Sequence, residues 1–148
     1  MKVFVCAFGG FYVAIPMGAV ASLADLADRR VMRPGGAVVR DEESADIHVS
    51  LPMLFELPLE KPRHGIVLKN PEEGEGGGRV VLLSTEVVNA DEIPDEKIHP
   101  IPKSLNGTRF SWLFRGMRCA TGTARDAGLV VLLDTERLID HARREVIE

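Results

Sequence analysis

Apolar positions fall into short runs bounded by Gly, Pro and charged residues, not into long amphipathic stretches. The pattern is clearest from Phe110 to Asp140, FSWLFRGMRCATGTARDAGLVVLLDTERLID. Leu129-Val130-Val131-Leu132-Leu133 is continuously apolar, which predicts a strand buried on both faces or lying in a closed barrel. Asp134 and Thr135 follow at once, and either can cap a helix N-terminus. Leu138, Ile139, Ala142, Val146 and Ile147 then recur at helical spacing. The chain is expected to end in a buried strand feeding a short amphipathic helix.

Upstream, Lys2 to Phe8 reads as a strand, Gly9-Gly10 as a hairpin turn, and Phe11 to Ile15 as the return strand, ended by Pro16. From Met17 to Arg30 the chain is Ala-rich, with Val20, Leu23, Ala24 and Ala27 on one helical face, so the local preference is helix. Arg33-Pro34-Gly35-Gly36 breaks the chain. Ala37 to Arg40 is a short strand, Asp41 to Asp46 an acidic turn, and Ile47 to Leu51 an alternating, half-buried strand. Pro52 opens a short helix that Pro58 stops.

After a polar joint at Lys61 to His64, Gly65 to Lys69 is a strand, Asn70 to Gly78 a Gly-rich acidic loop, and Arg79 to Ser84 the return strand. Glu86 to Ile93 is a weaker strand or turn, and Pro94 to Pro102 an exposed connector. The second half therefore echoes the first: strand, hairpin, strand, a turn at Val20 and Leu23 or at Val87 and Val88, strand, strand, helix. Neither half is large enough for a core of its own, but two can share one. The expectation is one domain over residues 1–148, mainly β. It comprises two small β-barrel lobes, approximately 1–60 and 61–148, face to face across a groove, with a short C-terminal helix.

A chain of 148 residues has room for that single domain, burying roughly 70% of its unfolded surface. Net charge of −4 and a pI of about 5.6 argue against nucleic acid as a main partner, which would need a basic patch. The basic clusters at Arg29-Arg30 and Arg143-Arg144 read as solvated helix ends. Cys6 and Cys119 sit in apolar contexts far apart in sequence and read as buried free thiols in a reducing cytoplasm, with a single disulfide between them as the alternative. The uncharged run between Lys2 and Asp25, with Ala19-Val20-Ala21, has the look of a secretory signal. Gly9-Gly10 and Pro16 punctuate it at turn positions and favour the hairpin, without membrane insertion.

Candidate chemistry is sparse. His48, His64, His99 and His141 are scattered, with His48 and His141 expected to face solvent. The glycines from Gly74 to Gly78 lie among glutamates and precede a strand, so they make a poor phosphate cradle. Asp91, Glu92, Asp95 and Glu96 lack calcium-loop spacing, and no serine has a nucleophile-elbow context. No catalytic, cofactor or metal residue is assigned.

The ordered series of motifs resembles the CheW-like coupling proteins of bacterial chemosensory arrays. VFVCAFGGFYVAIPMGAVASL is similar to that family's opening hairpin with its Tyr-x-Ile-Pro end. FSWLFRGMR and AGLVVLLDTERLI are similar to its Arg-Gly strand and its final strand and helix. MRPGGAVVRDEESADIHVSL departs from the longer family connector, so the chain reads as a divergent member in which Arg40 stands near the family's functional arginine.

The resemblance implies a pair of SH3-like five-stranded barrels, with a short turn and a strand after Pro16 where local preference says helix. It implies a cytoplasmic, non-enzymatic scaffold in two-component signalling, linking the regulatory domain of a CheA-type histidine kinase to the cytoplasmic tip of methyl-accepting chemotaxis receptors. Its protein-binding residues would be Val20, Leu23, Val87 and Val88, with Arg40 as charged anchor. The alternative is a small β-barrel ligand-binding protein or enzyme using the inter-lobe groove, which predicts convergent polar side chains there.

Overall fold

Two hairpins anchor two sheets. The computed structural model describes residues 1–8, 12–25, 37–40, 46–54, 63–69, 79–84, 86–100, 113–119 and 129–147. The first hairpin is β1 (Lys2–Ala7) and β2 (Tyr12–Pro16); a 3₁₀ turn over Met17–Ala19 leads to β3 (Val20–Asp25). Next come β4 (Val38–Arg40), β5 (Ile47–Ser50) and the single-turn helix α1 (Leu51–Leu54). The second hairpin is β6 (His64–Leu68) and β7 (Val80–Ser84), followed by β8 (Glu86–Glu92) and a 3₁₀ turn over Asp95–Lys97. The strands β9 (Phe114–Cys119) and β10 (Leu129–Leu133) and the helix α2 (Thr135–Ile147) complete the described elements.

The first sheet has the order β8-β1-β2-β10-β9 and the second the order β3-β6-β7-β5-β4. Pairing sense is the same in both: antiparallel, antiparallel, parallel, antiparallel. Hairpin β1–β2 thus corresponds to β6–β7, β3 to β8, β4 to β9, β5 to β10 and α1 to α2. The repeat expected from the sequence is present in strand order. The sheets, however, do not coincide with residues 1–60 and 61–148. After its hairpin each half crosses over, and its three following strands build onto the other half's hairpin. Both edges of each hairpin are occupied by strands of the partner repeat.

The crossing points are tied by hydrogen bonds. At the end of β7 the Ser84 hydroxyl lies 3.0 Å from the carbonyl oxygens of both Ala7 and Glu86, one in each strand it joins. Ser84 is fully buried, so this donor matters to the surrounding carbonyls. After β2, the Lys69 N–H donates to the Ala19 carbonyl at 2.8 Å.

Alternation along the strands divides one shared core from two outer clusters. Cys6 and Phe8 of the β1 segment, Val13 and Ile15 of β2, Ile66 and Leu68 of β6, and Val80 and Leu82 of β7 face the shared core. Leu138, Ile139 and Ala142 of α2 close it, and α2 packs over β4 and β5 of the second sheet. On the outer faces, Val3, Val5, Ala14, Ile93, Val130 and Leu132 form one cluster, and Val67, Val81 and Leu83 another. Both faces of the central strands are therefore apolar, which is why β7 and β10 read as unbroken apolar runs.

The helix expected from Met17 onward is absent among the described residues 17–25. The chain makes a 3₁₀ turn and the edge strand β3, paired with β6. Pairing against β6 outweighs the weak local helix propensity of an Ala-rich run. Trp112 and Phe110 lie outside the described residues; Leu113 is fully buried and Phe114 packs on the shared core. Half-buried His48 and His141 differ from the solvent-facing expectation.

The first sheet is closed across its ends. The chain leaves the β8 edge, turns at Asp95–Lys97, and bridges β9: the His99 N–H donates to the Met117 carbonyl at 2.8 Å and receives the reciprocal bond at 2.9 Å. A Cβ at Gly116 would lie 2.8 Å from Ile98 Cγ2 and 2.9 Å from the His99 carbonyl oxygen. The glycine of the Arg-Gly strand is thus required by close backbone approach.

Candidate functional site

Edge strands supply the candidate binding residues. Both β3 and β8 lie at a sheet edge, and each carries an irregularity at the same place. In β3, Val20 pairs with Leu68 and Ser22 with Val67, leaving Ala21 extra. In β8, Val87 pairs with Cys6 and Asn89 with Val5, leaving Val88 extra. Val20 and Val87 therefore occupy equivalent backbone positions, each just before a bulge that bends an edge strand. The side chains of Val87 and Val88 lie outside what is described.

Leu23, on β3, is exposed, at 46%. Its neighbours Ala21 and Ser22 are also exposed, so β3 presents a short surface of mixed apolar and small polar character. Val20 is partly buried and packs on the shared core, which commits much of its side chain to the interior. Arg40 is exposed on β4, opposite Ile47. The strands β3 and β4 are opposite edges of one sheet, and β8 is an edge of the other. Strand pairing does not bring Arg40 beside Val20 and Leu23.

A cavity of about 690 Å³ opens where the two sheets meet. The end of β2 and the turn after it (Pro16, Gly18, Ala19) form one side, and Lys69, just after β6, another. Arg115 of β9, Leu133 of β10 and the inner flank of α2 complete it. Its lining mixes charged and apolar side chains of the first sheet and of α2 with Lys69, in keeping with the ligand-binding alternative.

Asp134 caps α2 from the cavity rim: its carboxylate accepts from the Arg137 N–H at 3.2 Å and lies 3.5 Å from the Arg137 Nε. Arg143 was expected to be a solvated helix end. Instead its Nε and one terminal nitrogen are buried, while Arg144 is exposed. The spacing carried a signal for this: Arg143 stands four residues after buried Ile139, hence on the same face.

Cys6 is a buried free thiol, and burial pushes it up to about 12, so it stays protonated and inert at ordinary pH. Among the described residues no three His, Cys, Asp or Glu side chains converge as a metal group would. Among them, too, no helix is long and apolar enough to cross a membrane.

Two five-stranded sheets built from exchanged hairpins around one core, with one longer helix among the described residues, define a mainly β architecture. The chain has the fold of the crystal structure of the scaffolding protein TtCheW from Thermoanaerobacter tengcongensis. The TM-score is 0.65 at 12% identity, covering 90% of this chain and 83% of that one. No family model matches the sequence, and no curated protein matches it. At this identity the likeness is one of fold.

Proposed function

We propose that the chain is a non-enzymatic adaptor of a bacterial chemosensory system. It couples the regulatory domain of a CheA-type histidine kinase to the cytoplasmic tip of methyl-accepting chemotaxis receptors, working in the cytoplasm without inserting into a membrane. The observation that carries this reading is the likeness of fold, over 90% of this chain, to the scaffolding protein TtCheW.

Exposed Leu23 on β3 and exposed Arg40 on β4 are the accessible contact residues, with Val20, Val87 and Val88 at the paired bulges supporting them. An exposed edge strand offers unpaired backbone groups as well as side chains, which suits docking of another chain. Titration calorimetry between the purified protein and a CheA-type regulatory domain tests the reading. Saturable binding that is lost in Arg40→Glu with the fold retained supports it, and no association counts against it.

A second reading, small-molecule binding in the seam cavity, is favoured by the polar groups that line it.

A further inference from the structure

Among the described residues β8, β9, β3 and β4 stand at sheet edges, and all but β3 are guarded against pairing with another chain. In the first sheet, β9 is bridged by His99, whose N–H donates to the Met117 carbonyl at 2.8 Å. The β8 edge carries the exposed acids Glu86 and Glu92, with Asp91 beside them. In the second sheet, β4 is three residues long and ends in exposed Arg40. Short edge strands, charges along the edge and covering segments are the devices that keep sheets from joining edge to edge.

β3 has none of these. It is the counterpart of β8 in the repeat, yet Val20-Ala21-Ser22-Leu23-Ala24 holds no charged residue and no proline. Ala21, Ser22 and Leu23 are exposed. Besides Met1, Leu23 is the exposed large apolar side chain among the described residues. The bulge falls at Ala21, near the start of the strand, and from Ser22 to Asp25 the pairing with β6 is regular. That stretch presents a regular edge to solvent, with the backbone hydrogen-bonding capacity of any edge strand.

Charge decides what fits there. The chain carries a net charge of −4, so two copies repel at a distance. Meeting on β8 would add acid against acid, whereas β3 sets no like charges against its own copy. With a twofold axis at Leu23, two β3 strands run antiparallel. The two Leu23 side chains then meet, and Ser22 faces Ala24 of the second copy on either side. Asp25 falls opposite Ala21 of the second copy, away from its own counterpart.

We propose that the chain forms a reversible homodimer by antiparallel pairing of β3 with β3 of a second copy, continuing the second sheet across a twofold axis at Leu23. A contact one strand edge wide falls below the roughly 1,200 Å² buried in stable complexes. The dimer is therefore weak, with a Kd on the order of 100 µM. It covers the strand that the adaptor reading gives to a partner protein, so dimer and adaptor complex exclude each other.

Sedimentation equilibrium of the full chain from about 10 µM to about 1 mM tests this with neither kinase nor receptor present. The average mass should rise from monomer toward dimer over that range. Leu23→Asp brings two carboxylates together on the axis, and Ser22→Lys places a charge on the edge; each should leave a monomer throughout. Either variant suffices, so a folding failure in one leaves the test decisive. Ala90→Asp, at the equivalent place on β8, should leave the association unchanged. A parent chain that stays monomeric at the highest concentration overturns the proposal. So does a dimer that survives both β3 variants, or one that Ala90→Asp abolishes equally.

Discussion

Ser50 and Asp134 hold the same place in the two repeats. Each follows or ends the strand that runs parallel to a hairpin, and each side-chain oxygen accepts the backbone N–H three residues on, from Met53 at 3.4 Å and from Arg137 at 3.2 Å. The unit thus repeats down to its helix cap, although the helix it starts is one turn in the first copy and 13 residues in the second. Asp134→Ala removes the cap of the longer helix, which also closes the shared core. The expected loss is about 1 kcal/mol, or roughly 3–4 °C in Tm, read by thermal denaturation. Ser50→Ala should cost less, because its bond is longer and its helix shorter.

Gly116 is the second test of the fold. A methyl group there meets Ile98 and the His99 carbonyl at under 3 Å. Gly116→Ala should therefore push the His99 bridge off β9 and destabilise the protein by about 1–3 kcal/mol, in the range of overpacking. Chemical denaturation reads the loss, and faster amide exchange at His99 and Met117 locates it. Unchanged stability would mean that the sheet is not closed there.

Cys6 predicts a pH effect with a defined sign. The folded thiol is raised to about 12 by burial, from an ordinary value of 9.0. Above pH 9 the unfolded chain sheds this proton while the folded chain keeps it, so stability falls as pH rises between about 9 and 12. The slope from this group is about 1.4 kcal/mol per pH unit. Below pH 9 it contributes no pH dependence. Denaturant titrations of the parent and of Cys6→Ala across that window isolate the effect, since the other titrating groups are common to both. A disulfide-exchange reagent should react with Cys6 slowly in the native state and promptly once the chain unfolds.

Leu23 and Val20 separate binding from folding. Leu23 is 46% exposed, so Leu23→Asp should change stability by no more than about 0.5 kcal/mol. If β3 is a docking edge, the same change should weaken kinase or receptor binding. Val20 packs on the shared core, so Val20→Asp should lower both stability and binding. Binding unaffected by Leu23→Asp would remove β3 from the proposed interface.

Much of this was legible in the residues. The continuous apolar run at Leu129–Leu133 announced a strand covered on both faces, and Arg79 to Ser84 was legible as a return strand. The echo of hairpin, turn, two strands and helix revealed the repeat, although the stretches read as turns at Val20 and Val87 are the edge strands β3 and β8. The exchange of hairpins between halves was not legible, because pattern reports which face of a strand is buried and not which strand lies beside it. The helix expected after Met17 failed because edge pairing with β6 is a long-range interaction that an Ala-rich window does not register. Val20 and Val87 were matched from sequence, and their bulges confirm that the places correspond. Arg40 was grouped with them by resemblance, and strand order puts it on the opposite edge of the sheet. Arg143 was taken for a surface charge because it adjoins Arg144; its distance from Ile139 was the better guide.

The adaptor role is tested most directly by co-sedimentation of a CheA-type kinase with membranes bearing a methyl-accepting chemotaxis receptor, with and without this protein. Kinase recovery in the receptor pellet should rise with added protein to a plateau, and Arg40→Glu together with Leu23→Asp should abolish the rise while the variant remains folded. Kinase recovery that does not change when the protein is added would contradict the account.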